Sequence, residues 1–258
     1  LLIREIHTAP IVSSWVWYGI GSRNEVPGKT GLSHWVEHMQ FKGTAQHSAS
    51  WMDHSIARLG GHWNAFTSPD WTTYFETLPA SALETALALE ADRMRGSLFE
   101  PNEVETERTV ILSEREGLEN DPLFQLNEAV QLRAFREHPY RNEVIGAKED
   151  LLALTREDLY GHYRNYYQPA NALLCLAGDI DPQQALALTR QYFGNIESLP
   201  LEKQLPAPEE NPPAFEQVDL HGPGDATFVE VAWRAPKGNS EDFFAFTILE
   251  SLLTGPSS

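Results

Sequence analysis

Hydrophobic and polar positions alternate between two periods along this chain, and the change of period marks its elements. Residues 11–20 are rich in β-branched and aromatic types and run into Gly21-Ser22, which predicts a strand. A polar loop with Pro27-Gly28 follows, and residues 30–41 then read as a helix packed through Leu32, Val36 and Met39. Ser50 to Leu59 reads as a second helix, stopped by Gly60-Gly61. His62 to Thr67 and Trp71 to Leu78 flank the turn residues Ser68-Pro69-Asp70, which predicts a hairpin.

Helices dominate the next stretch. Residues 80–98 place Leu83, Leu87, Ala91, Met94 and Leu98 three and four apart, an amphipathic spacing. Pro101 opens a helix to about Glu119, and Asp121-Pro122 restarts the chain into another through Phe135. Residues 155–167 read as a helix with Thr155 as N-cap and Asp158 in the capping-box place. A strand at 171–178 and a helix at 182–193 complete the pattern.

Interleaved strands and helices with a hairpin predict an α+β domain, its helices packed on a mostly antiparallel sheet. Pro200, Pro206, Pro208, Pro212 and Pro213, with four acidic residues, make 197–213 an extended, solvated linker. Residues 1–196 form the first domain in this reading. Residues 214–258, with a strand at Ala226 to Trp233 and a helix at Glu241 to Leu253, form the start of a second, too short for a substantial core.

Composition changes the picture mainly through charge. With 19 Lys and Arg against 37 Asp and Glu, the formal net charge is −18. That field repels nucleic acid and anionic membranes and attracts a basic peptide, although acidity also simply serves solubility. No apolar run is long enough for a transmembrane helix, and no signal peptide is read at the start. The chain opens Leu1-Leu2 without Met, so the compartment stays open, cytoplasmic and periplasmic being the two expectations. The single Cys175 cannot form an internal disulfide and reads as a small core hydrophobe. Six of the seven tryptophans fall within the first 71 residues, read as an aromatic core around the sheet, with a peptide-binding wall as the alternative.

The candidate chemistry sits in His34-Trp35-Val36-Glu37-His38. Residues i and i+4 share one helix face, so both imidazoles can reach one metal ion, with the Glu37 carboxylate beside them. Zinc is the metal that nitrogen and carboxylate donors suit best, and H-x-x-E-H inverts the H-E-x-x-H order of many zinc peptidases. Two imidazoles leave a third ligand to be found. On the helix at 103–119, Glu107, Val110, Ile111, Glu114 and Leu118 fall on one stripe. Two carboxylates on an apolar face are costly unless compensated, as a dication would do; a solvated flank is the alternative. His47, His54 and His62 lack helical or hairpin spacing to the motif and read as surface or packing residues.

Together these segments resemble the insulinase/pitrilysin family of inverted-motif zinc metallopeptidases, which includes the mitochondrial processing peptidase. The match runs through residues 31–44, 61–67 and 107–114, then His138-Pro139-Tyr140, Val144-Ile145-Gly146 and residues 167–171. It is dense over residues 3–196 and weaker beyond. The resemblance implies that His34, His38 and Glu114 bind one zinc ion, that Glu37 is the general base and that Glu107 is a supporting carboxylate. It also implies that Asn64, Ala65 and Phe66 lie on an exposed edge where an extended peptide adds as a strand. The implied activity is zinc-dependent endopeptidase action on extended or unfolded segments, with a second similar domain or subunit completing a chamber. In many members that second half supplies an Arg and a Tyr, and nothing in 214–258 matches the pair. A non-catalytic partner of the same fold is the competing reading. Such relatives usually lose part of the motif, whereas His34, Glu37, His38 and Glu114 are all present here.

Overall fold

Five strands, β1 (Leu2–Glu5), β2 (Ile11–Tyr18), β3 (His62–Thr67), β4 (Thr72–Pro79) and β5 (Ala172–Gly178), form one sheet in the order β1-β5-β2-β4-β3 in the computed structural model. The structure describes residues 1–201, 206, 208–209, 215–222 and 224–255. β5 and β4 flank β2 antiparallel, and β3 pairs antiparallel with β4, which leaves β3 at one border of the sheet. Only β1 runs parallel to its neighbour, β5. The mostly antiparallel expectation therefore holds, while β1 has no counterpart in the sequence reading. Its four residues are too short and too mixed in polarity to announce themselves, and pairing with β5 is what defines them.

Strand alternation separates the two faces of the sheet. Val12, Ser14, Val16 and Tyr18 of β2 and Tyr74, Glu76 and Leu78 of β4 are buried under a layer of helices. The helices are α1 (Leu32–Met39), α2 (Ala49–Arg58), α3 (Leu83–Gly96), α4 (Pro101–Glu119), α5 (Pro122–Ala134), α6 (Lys148–Ala153), α7 (Arg156–Tyr166) and α8 (Pro182–Phe193); α1, α2, α3 and α8 make the main contacts with the sheet, α4 and α7 pack on α1, and α5 and α6 on α4. Each fully buried Val, Leu or Met contributes about 1.5–3 kcal/mol through removal of apolar surface from water. α1 packs against β3, β4, α4 and α7, so the motif helix is held on several sides.

The other face carries Trp15, Trp17, Phe66, Trp71 and Phe75. Trp15 stacks on Phe75 at 4.3 Å between centroids, and Trp17 meets Trp71 edge-on at 4.5 Å. This corrects the expectation of an aromatic core. Trp35 alone of the tryptophans is fully buried, and the strand residues Trp15 and Trp17 point to the half-exposed side because they occupy the odd positions of β2. Cys175 likewise sits half-buried on β5 rather than in the core.

Helix boundaries follow local chemistry. Thr155 and Asp158 form a reciprocal capping box at the start of α7, with the Asp158 N–H donating to Thr155 Oγ1 (3.2 Å) and the Thr155 N–H donating to Asp158 Oδ2 (3.0 Å). α3 stops at Gly96, so Leu98 lies beyond it and is exposed. On α4 the buried face runs through Val104, Glu107, Ile111 and Arg115. Val110, expected on the stripe, is exposed: at about 100° per residue it stands more than a quarter-turn from Ile111, off the buried face.

The chain divides into two units, residues 1–217 and 218–258. In the second, α9 (Phe243–Thr254) forms close to the expected helix, with Phe244, Ile248 and Leu252 exposed. The strand expected at Ala226 to Trp233 does not form. No described strand pairs with it, and a lone extended segment leaves its ladder groups without partners. Within 197–213 the described residues have no regular structure; Pro212 and Pro213 lie outside them. Among the described residues no helix is long and apolar enough to cross a membrane.

Candidate metal centre

α1 has eight residues, and their i, i+4 spacing puts His34 and His38 on successive turns of one face, with ring centroids 4.6 Å apart. α4 crosses this face and brings up two carboxylates, Glu107 and Glu114, separated by two turns. Nε2 of His34 and Nε2 of His38 each stand 3.8 Å from Glu114 Oε2. Ligand atoms at tetrahedral zinc, with bonds of about 2.0–2.2 Å, lie roughly 3.4 Å apart, so the two pairs need to close by only a few tenths of an ångström. One ligand atom from each of His34, His38 and Glu114 lies within 4.8 Å of the others, the one such group among the described residues. Two imidazoles and a carboxylate fit zinc, and the His34, His38 and Glu114 set is the one expected from sequence.

Electrostatics differ between the two imidazoles. Burial, reinforced by the neighbouring His38, pulls His34 down to about 3, so it is neutral and its lone pair is available. Burial also opposes charge on His38, but the hydrogen bond and negative field of Glu107 outweigh it and hold His38 above the ordinary histidine value. Glu107, although buried, is kept below the usual carboxylate range by His38 and Lys42. Lys42 lies four residues after His38, in the turn that follows α1, and ion-pairs with Glu107 Oε2.

Glu37 lies on the same helix and is 8% exposed. Burial raises its proton affinity, and the hydroxyl of Thr67 donates to its Oε2 at 2.5 Å. Thr67 ends β3, so the motif helix and the border strand are joined at this carboxylate. On β3, Asn64 and Phe66 are exposed, Ala65 is buried, and the Ala65 N–H donates to Asn64 Oδ1 (2.9 Å).

Thr67 and Lys42 carry no role in the sequence reading. Lys42 was accessible to it, being four residues after His38 and opposite in charge to Glu107; Thr67 was not, because strand β3 meets α1 only through the tertiary fold. His47 stacks on Trp51 and His54 pairs with Ser50, both away from the three ligand atoms.

The sequence profile "Insulinase (Peptidase family M16)" matches residues 1–148, more than half of the chain. This chain belongs to the insulinase family, peptidase family M16. The profile "Peptidase M16 inactive domain" matches residues 153–258. Among curated relatives, the zinc protease PqqE of Helicobacter pylori is 32% identical over 243 residues, covering 92% of this chain and 54% of that protein. The probable mitochondrial-processing peptidase subunit beta of Schizosaccharomyces pombe is 29% identical over 241 residues, covering 90% of this chain and 52% of that one. A crystal structure of a protease from Helicobacter pylori superimposes with a TM-score of 0.75 at 34% identity, covering 80% of this chain and 50% of that chain. The periplasmic protease PqqL from Escherichia coli gives 0.73 at 27% identity, over 81% and 24%. The chain thus spans about half the length of the curated relatives named here.

Proposed function

We propose that this chain carries the zinc-binding catalytic half of a metalloendopeptidase that hydrolyses extended peptides or unfolded segments. One observation carries the reading: Nε2 of His34 and of His38 converge on Glu114 Oε2 at 3.8 Å each, with the buried Glu37 on the same short helix. Membership of a peptidase family, with relatives named zinc proteases, supports it.

His34, His38 and Glu114 would hold the ion. When bound, zinc supplies a Lewis acid that polarises a peptide carbonyl and acidifies a water molecule. Glu37 removes a proton from the attacking water, and its raised proton affinity suits a group that must take that proton and return it to the leaving amine. Thr67 fixes the Glu37 carboxylate by donating to Oε2, which leaves Oε1 for the water. Glu107 supports the site by fixing the His38 ring.

Substrate would add along β3. An extended peptide can replace the Asn64 side chain as partner of the Ala65 N–H, and Thr67 then places the scissile bond beside Glu37. The net charge of −18 favours basic peptides. A second domain or subunit would close the chamber and supply further contacts to the substrate.

Cleavage of a fluorogenic peptide library, measured with and without a chelator, tests the reading. Chelator-sensitive hydrolysis restored by stoichiometric zinc supports it. Stoichiometric zinc without hydrolysis by the complete protein would favour the non-catalytic partner instead.

A further inference from the structure

The N-terminus of the motif helix is closed by a residue outside it. Its N-cap is Gly31, with φ at 87°, in the left-handed region that glycine tolerates. A Cβ at this position would come within 2.6 Å of the Ile145 carbonyl oxygen, so a Ser, Thr or Asp cap is excluded there. One carboxylate takes over: Glu25 Oε2 accepts from the Gly31 N–H (2.8 Å) and Glu25 Oε1 accepts from the Ser33 N–H (2.7 Å). Glu25 is 6% exposed and Ser33 0%, so water cannot stand in for either bond.

The two metal-binding histidines are held differently. His38 is aimed by the Glu107 hydrogen bond to its Nδ1. His34 Nδ1 is buried and has no hydrogen-bond partner among the described residues. Its direction is therefore set by the backbone of the first helical turn, and Ser33, the residue before it, is what Glu25 grips.

We infer that Glu25 is a positioning residue for the metal centre, acting on His34 through the first turn of α1 as Glu107 acts directly on His38. This rests on the zinc reading of His34, His38 and Glu114. Glutamine at position 25 offers a single acceptor, so one of the two N–H groups would face an amide NH2 instead.

The test compares the zinc affinity of the unaltered protein, Glu25→Gln and Val12→Ala by competition with a chromophoric chelator at fixed pH. Val12 is buried on β2, a strand that is not among the main packing partners of α1, and its truncation reports general destabilisation. Glu25→Gln is expected to weaken zinc about tenfold, the scale seen when partners of metal ligands are removed, while Val12→Ala leaves it unchanged. Equal affinity in Glu25→Gln and the unaltered protein, or an equal loss in Val12→Ala, overturns the inference alone. Failure of the unaltered protein to bind zinc overturns the metal reading and this inference with it. A second measurement needs no variant: in the zinc-loaded protein the amide protons of Gly31 and Ser33 should exchange slowly, and exchange at the free-chain rate would overturn the clamp.

Discussion

Glu107 Oε1 lies 2.8 Å from Nδ1 of His38, and this contact decides which nitrogen of His38 faces Glu114. An imidazole that donates from Nδ1 keeps its Nε2 lone pair free, and a carboxylate partner makes that nitrogen a better donor to a metal. Glu107 is buried and also paired with Lys42, so its position is fixed from two directions. Replacing Glu107 with Ala should weaken zinc binding roughly 10–100-fold without removing a ligand. Chelator competition checks this, and unaltered affinity would deprive Glu107 of its supporting role.

Glu37 stands apart from the ligand set. Glu37→Gln keeps the volume and the Thr67 contact but removes the basic oxygen pair. The variant should hold one zinc ion as before and lose hydrolysis by at least about 100-fold, the low end of what a general base contributes. Metal analysis beside peptide turnover checks both halves. Loss of zinc together with activity would move Glu37 from base to ligand.

A pH dependence independent of the metal should come from His162, which is buried in α7 beside Ser33 Oγ (3.2 Å). Burial pulls it down to about 3, from an unfolded value near 6.5. The unfolded chain therefore binds a proton that the folded chain refuses. The stability tied to neutral His162 is fully present above pH 6.5 and is lost progressively as pH falls towards 3, at up to about 1.4 kcal/mol per pH unit. His34 shares this direction, so the informative quantity is the difference between the unaltered protein and His162→Gln. Denaturant unfolding of the zinc-free proteins should give a flatter acid limb for the variant.

Trp35 ties the motif to the core: it is 0% exposed, and the Arg108 guanidinium lies 4.7 Å over its ring. Trp35→Ala should cost about 3–5 kcal/mol of stability, read from the shift of the urea midpoint. A change below about 1 kcal/mol would show that the motif helix is not anchored through this ring.

Much of this was legible in the sequence, for physical reasons that also mark where legibility ended. Periodicity and punctuation gave α4 from Pro101 to Glu119 and the capping box at Thr155, because helix signals are local. The i, i+4 pairing of His34 and His38 gave half of the candidate centre by geometry alone. Glu114 could be singled out only as one of two carboxylates on a stripe and by family resemblance, since spacing along one helix does not say what that helix crosses. Thr67 reaches the motif through a tertiary contact and Glu25 through a loop six to eight residues long, neither with a sequence period, and β1 exists only because β5 lies beside it. The segment at Ala226 to Trp233 shows the converse: β-propensity without a partner strand forms no strand.

Anomalous diffraction at the zinc edge from crystals grown with zinc tests the central claim most directly. The expected result is a single strong peak with Nε2 of His34, Nε2 of His38 and a Glu114 oxygen each about 2.0–2.2 Å away, and Glu37 outside bonding distance. A peak elsewhere, or these three side chains turned from one another with no ion between them, would contradict it.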